Sequence, residues 1–262
     1  MSFEKKVTVL FLFLVAAVPI FLYYAAHRSR PEPTPIPPRE EVTITIIPGW
    51  NARDVAQYLV KMRFASTSDD VFGIIGEPAH PESSKAPNLE GSLAPETYRV
   101  YRDATLAEVI KKLLDQRTKE LSEITGFSSS SEARKNEILT MASLIEDEAR
   151  TPEDRRLISD ILWRRLKKGW ALQLDSTVHY AVAKTGTVFT TDKERNVNSP
   201  YNTYKYPGLP PGPICNPSVD SIEAALEPTA NQYWFFLTGN DGKMYYAKTL
   251  EEHTANRYKY LR

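Results

Sequence analysis

A chain of 262 residues, 42% of them hydrophobic, is long enough to bury a sizeable core in one or two domains. Its 33 basic residues balance 33 acidic ones, removing the basic excess that marks most nucleic-acid-binding proteins, and no nucleic-acid partner is expected. The single cysteine, Cys215, excludes an internal disulfide framework and a cysteine metal cage, and the four histidines show no ligand spacing, so neither a metal nor another cofactor is expected.

Residues 7–26, VTVLFLFLVAAVPIFLYYAA, contain no charge and are long enough to span a bilayer as one helix. Tyr23 and Tyr24 sit near one end, where amphipathic rings favour the interface. A cleaved signal peptide would carry a shorter apolar stretch and a small-x-small cleavage site. Residues 1–27 are therefore expected to be a cytoplasmic tip and an uncleaved anchor. Lys5 and Lys6 on one side match Arg28 and Arg30 on the other, so charge alone does not orient it. RPEPTPIPPREE follows, with five prolines between positions 31 and 38, and residues 28–40 read as a stiff stalk.

Val42, Ile44 and Ile46 alternate with Thr43 and Thr45, the period of a half-buried strand. Pro48-Gly49 breaks it. Asn51 then caps a helix with Asp54 three residues on, and Val55, Leu59 and Met62 share one face. On periodicity alone this is the edge of a larger domain rather than a separate recognition module. Residues 64–88 read as a helix fragment and a loop. A turn-rich stretch carrying Glu90 and Glu96 precedes a helix starting at Thr105, with Leu106, Val109, Ile110, Leu113 and Leu114 at helical spacing. Carboxylates in such a stretch are ordinarily solvated.

From Asn136 two helices are expected, broken near Thr151-Pro152. On a helical wheel Ile138, Ala142, Ile145 and Ala149 form the buried face of the first. Glu146 falls at one border of that face and Glu148 at the other, while Asp147 points to solvent. A carboxyl at an apolar border loses hydration and holds its proton towards neutral pH, as a general acid must. Equally, both glutamates could be plain helix charges or partners of Arg150 or another basic group. The wheel does not choose between them.

Further on, LQLDSTVHYA places Gln173 and Asp175 before a short helix that Asp175 or Ser176 could cap. Five prolines between positions 207 and 217 stiffen the next loop, and Tyr201, Tyr204 and Tyr206 precede them, with Asn202, Thr203 and Asn216 supplying amides and a hydroxyl. A rigid, aromatic and amide-rich loop suits a sugar site; a loop packed by its own tyrosines suits the pattern as well. A hairpin turning at Asn240-Asp241-Gly242 and a terminal helix complete the chain.

The wording and order of LEGSLAPETY, MASLIEDEA, LQLDSTVHYA, SPYNTYKYPGLPPGPICNPSVDSIEAAL and KTLEEH resemble the YceG-like (MltG) family of endolytic murein transglycosylases, from about Val42 to the carboxyl end. The resemblance implies an α+β fold: an N-terminal transmembrane helix, a small LysM-like α/β module at 41–87, and a mixed α+β catalytic domain at 88–262. Family members usually carry additional residues before that module, so here it is shortened. The implied partners are peptidoglycan glycan strands and peptidoglycan synthases (penicillin-binding proteins). The implied location is the bacterial cytoplasmic membrane, with the catalytic domain outside.

In this family one glutamate protonates the glycosidic oxygen between N-acetylmuramic acid and N-acetylglucosamine, and the muramyl C6 hydroxyl then closes a 1,6-anhydro ring. The resemblance places that role on Glu146, the first acidic residue after the AS-apolar-apolar tetrad. Glu148 is implied as an orienting group. Glu90, Gly91, Gln173, Asp175, Tyr201, Asn202, Thr203, Tyr204 and Asn216 are implied to line the glycan groove. This chain has Ser176 where a proline is common and GSLAPET where GYLFPDT is typical. An ordinary glycosidase uses two carboxylates, and Glu90 or Asp175 could be the second. A muramidase-type hydrolase is thus one alternative, and an inactive glycan-binding scaffold is another.

Overall fold

The computed structural model describes residues 15, 17–26, 38–78, 88–184 and 190–261. It divides into two units, Met1–Arg39 and Glu40–Arg262. In the first, residues 17–26 are helical, with Val18, Ile20, Phe21 and Leu22 exposed. Among the described residues no helix is long and apolar enough to cross a membrane. Most of the expected anchor and stalk lies outside the described residues.

The second unit opens with strand β1 (Glu41–Thr45), antiparallel to β2 (Thr97–Tyr101), with Val42 opposite Val100 and Ile44 opposite Tyr98. The alternation places these four side chains against a core built with α1 (Ala52–Lys61), α2 (Ser68–Ile75) and α3 (Leu106–Glu123). Helix α1 begins at the capping box expected from the sequence: Asn51 Oδ1 accepts from Arg53 N at 2.8 Å, and Asp54 Oδ2 accepts from Asn51 N at 3.0 Å. Val55, Ala56 and Leu59 are its buried stripe.

This core runs from Ile44 to Leu113 and so crosses the boundary expected between residues 87 and 88. The reason is backbone pairing. The hydrogen-bonding edge of β1 is met by β2, beyond that boundary, and α3 supplies Val109, Ile110 and Leu113 to the same core.

A second core gathers α4 (Glu132–Glu148), α5 (Pro152–Lys167), α6 (Asp175–Ala181) and α8 (Val219–Leu226), with the short α7 (Asp192–Arg195) between α6 and α8. Strands β3 (Phe235–Thr238) and β4 (Met244–Ala247) form an antiparallel hairpin, and α9 (Leu250–Tyr260) packs on it. The break between α4 and α5 falls where proline was expected to put it. Pro152 occupies the first turn of α5, and Thr151 Oγ1 caps it by accepting from Asp154 N at 3.1 Å. Helix α4 is buried more widely than the wheel predicts, with residues 140–145 all inside, because α5, α6 and α8 pack round it.

Candidate active site

The C-terminal end of α4, the start of α6, the hairpin and the turn at residues 47–54 enclose a groove of about 990 Å³. The turn comes from the first core and the other three from the second. It faces the α4 carboxylates: a Cβ built on Gly49, whose φ is +84°, would be in ordinary contact, 3.5 Å from Asp147 Oδ1 and 3.9 Å from Glu146 Cγ. Asn216 holds it there. Asn216 N and Nδ2 both donate to Trp50 O, at 2.8 and 2.9 Å, and Asn216 O accepts from Gly49 N at 3.0 Å.

The two glutamates at the borders of α4 have different surroundings. Glu146 Oε1 accepts from Arg155 Nη2 at 2.9 Å. Its Oε2 takes three donors: Ser218 N at 2.8 Å, Ser218 Oγ at 2.5 Å and Ser221 Oγ at 2.7 Å. With its side chain only 5% accessible, both oxygens are committed to protein donors. Glu148 lines the same groove and accepts one hydrogen bond at Oε1, from Ser176 Oγ at 2.8 Å. Burial pushes its carboxyl up to about 7 against the pull of that bond, and nearby Asp175 adds to the rise. Asp147 is exposed, as the wheel predicts, and faces the turn. Shielding by the groove walls and then the charge of Glu148 raise its carboxyl well above the ordinary range, although its open surface lets water screen part of that rise.

Asp175 lines the groove but does not cap α6, which has no side-chain cap. Its carboxylate is drawn instead to Tyr204, whose hydroxyl donates to Oδ1 at 2.6 Å, while Arg195 Nη2 reaches Oδ2 at 3.5 Å. Of the residues the resemblance assigned to the groove, Asp175 and Glu148 line it. Tyr204 supports it through Asp175.

Five others are buried and are not among the residues lining the groove. Tyr201 is fully buried against Tyr180, with ring centroids 4.9 Å apart. Buried Asn202 ties its own loop, Nδ2 donating to Arg195 O and Val197 O. Buried Thr203 Oγ1 accepts from Leu174 N at 3.0 Å, fixing the entry to α6. Asn216 is the fastener already described. Gly91, with φ at +81°, passes so close to Pro213 that a Cβ would fall 2.7 Å from its Cγ. Gln173 is exposed outside the groove, in the left-handed region at φ +56°.

Glu90, 4% exposed, is not the solvated group expected of a turn-rich stretch. Its Oε2 accepts from Ala52 N at 3.0 Å and from Tyr180 Oη at 3.1 Å, and Asn216 Nδ2 approaches Oε1 at 3.5 Å. It therefore joins the start of α1 in the first core to α6 and the Asn216 loop in the second. Burial pushes its carboxyl up to about 7, against both of the shorter hydrogen bonds. Glu96 is exposed, as such a residue should be.

Sequence reasoning missed Arg155, Ser218 and Ser221, which secure Glu146. The only signal was Ser218 before an apolar helix, a capping pattern that the structure bears out. Among the described residues no cluster of His, Cys, Asp and Glu could hold a metal ion.

An α+β fold whose groove holds a shielded carboxyl beside a hydroxyl donor has the parts of an acid–base site. The YceG-like family matches residues 32–259, and the chain belongs to that family. The endolytic murein transglycosylase of Bacillus subtilis (strain 168) is 41% identical over 175 residues, covering 66% of this chain and 48% of that protein. That of Streptococcus pneumoniae serotype 2 (strain D39 / NCTC 7466) is 31% identical over 247 residues, covering 84% of this chain and 45% of that protein. The chain thus spans about half the length of these curated relatives. A crystal structure of a yceG-like protein from Listeria monocytogenes matches with a TM-score of 0.65 at 34% identity, over 81% of this chain and 75% of that one.

Proposed function

We propose that the chain is an endolytic lytic transglycosylase of peptidoglycan, with Glu148 as its acid–base group. Family membership and the names of two relatives support the reaction class. The observation that carries the choice of residue is the contrast between the two glutamates. Both line the groove, but Glu148 has a single protein donor and a carboxyl that burial pushes up to about 7, whereas Glu146, implied by the resemblance, has both oxygens occupied by Arg155, Ser218 and Ser221. A single group that must first give and then take a proton works best with a pKa near the working pH.

In this reading the Glu148 carboxyl protonates the glycosidic oxygen between N-acetylmuramic acid and N-acetylglucosamine as its bond to the anomeric carbon breaks. The muramyl C6 hydroxyl oxygen bonds to that carbon, and its proton passes to the Glu148 carboxylate, restoring the acid. One strand end leaves as a 1,6-anhydromuramyl sugar and no water is consumed. Asp175, in the same groove, is the group a hydrolase would need as its second carboxylate.

The test is digestion of purified, uncrosslinked glycan strands by the full chain and by its Glu148→Gln and Glu146→Gln variants, read by mass spectrometry. Internal cuts with anhydro ends, abolished in Glu148→Gln and slowed but retained in Glu146→Gln, are expected. The reverse pattern moves the acid to Glu146. Reducing ends would make the protein a muramidase, and intact binding without any cuts would make it a scaffold. The uncharged residues 7–26 support anchoring in a membrane, and family membership supports the bacterial cytoplasmic membrane, with the catalytic part outside and working beside peptidoglycan synthases. Recovery of the chain in the soluble fraction, or failure of crosslinking to capture a synthase, would count against these assignments.

A further inference from the structure

The tyrosine-rich loop read from the sequence as a sugar surface does not supply the groove with a ring, since Tyr201 is buried and Tyr204 is engaged with Asp175. The aromatic rings that line the groove are Trp50, Tyr180 and His179. Tyr180 is buried, its hydroxyl bonded to Glu90 and its face under the Arg53 guanidinium, 5.2 Å from the ring centre. His179 Nε2 is bonded to Thr190 Oγ1 at 2.9 Å. Trp50 keeps open surface.

Its mounting is rigid. The indole rests on Tyr58, with ring centroids 5.2 Å apart and planes at 59°. Tyr58 is itself fixed, its hydroxyl accepting from Thr45 N at 3.0 Å. The Trp50 carbonyl takes both donors of Asn216. Beside it Ile47 is 47% exposed, an apolar surface in a groove otherwise rich in carboxylates. The adjoining Gly49 approaches Asp147 and Glu146 on the facing wall.

We propose that Trp50 is a saccharide platform, carrying the apolar face of one N-acetylhexosamine ring of the strand across the groove from the α4 carboxylates. A pyranose is amphipathic: its ring C–H groups are apolar and slightly positive and suit a π face, while its hydroxyls and acetamide extend to the sides. An indole on one wall and carboxylates on the other match those two kinds of surface. This subsite rests on the glycan-cleaving reading above and deepens it. It makes the turn between β1 and α1 part of the reaction groove rather than a remote binding module.

The experiment measures calorimetric binding of purified, uncrosslinked glycan strands to the full chain in detergent, in a Glu146→Gln, Glu148→Gln background that prevents turnover whichever glutamate is the acid. Trp50→Ala should weaken binding about tenfold, Trp50→Phe should restore most of it, and both should melt within a few degrees of the parent. The parent's indole emission should shift on adding strands, and that shift should vanish in Trp50→Phe. Equal affinities for Trp50→Ala and the parent overturn the platform and leave the reaction reading standing. Absence of binding by every protein, parent included, overturns both.

Discussion

At the residue scale, neighbouring carboxylates on one helix end have different surroundings: burial raises the Glu148 carboxyl, while protein donors occupy both oxygens of Glu146. The Glu148 carboxyl, near 7, must carry its proton to act as an acid. The reaction's kcat/KM should therefore be flat on the acid side and fall tenfold per pH unit above about 7. A rate that keeps rising through pH 8 would exclude Glu148 as the acid. Glu90 makes a second prediction, this time about stability. Its folded pKa lies above the ordinary 4.5, so the native state binds more protons than the unfolded chain between 4.5 and about 7. Stability from this group is fully present below 4.5, is lost as pH rises to about 7, and is level beyond. The loss is on the order of 3 kcal/mol. Glu90→Gln removes the charge but keeps an acceptor, so denaturant titrations at several pH values should show a shallower decline. An unchanged decline would place the proton uptake elsewhere.

At the element scale, capping residues position the groove. Asn51 ends the turn that carries Trp50 and starts α1, so the same side chain terminates a wall and begins a helix. Asn51→Ala should cost about 1 kcal/mol, seen as a drop in Tm of roughly 2–4 °C. It should also raise KM for strands more than it lowers kcat. A fall in kcat alone would argue that the turn shapes the chemistry instead. Elements of this kind were legible in the sequence because their causes are local. Alternation set β1, Asn51 with Asp54 set α1, Thr105 set α3, and Thr151-Pro152 separated α4 from α5. The site was legible only in part. Periodicity located the carboxylates on α4, but their difference depends on Arg155, Ser218, Ser221 and Ser176, which arrive from other elements. Glu90 misled for the same reason: nothing near it in sequence shows that Ala52 and Tyr180 will bury it.

At the scale of the whole molecule, two cores contribute opposite walls to one groove, and Glu90 and Asn216 fasten the walls at its base. The first core includes residues on both sides of position 87/88 because strand pairing joins segments more than fifty positions apart, which no local pattern reveals. Asn216→Ala keeps the two backbone bonds to Gly49 and Trp50 but removes the Nδ2 bond to Trp50 O and the acceptor of the Leu93 amide, which donates to Asn216 Oδ1 at 2.9 Å. It leaves the buried Leu93 amide unpaired and should cost about 2 kcal/mol. Native-state hydrogen exchange should show the loss at the Leu93 amide first. Uniform loss of protection across both cores would contradict a local fastening.

Next to that fastener lies Cys215, the only thiol in the chain, buried beneath the groove with its Sγ directed to Ser143 O at 3.4 Å. Burial and then Asp147 push the thiol well above its usual range, so an alkylating reagent meets neither an accessible nor an ionised sulfur in the closed state. The chain thus holds a built-in chemical clock: the rate at which Cys215 is modified reports how often the packing over it opens. Added glycan should slow that clock, and Asn216→Ala should quicken it, in a protein that needs no engineered label.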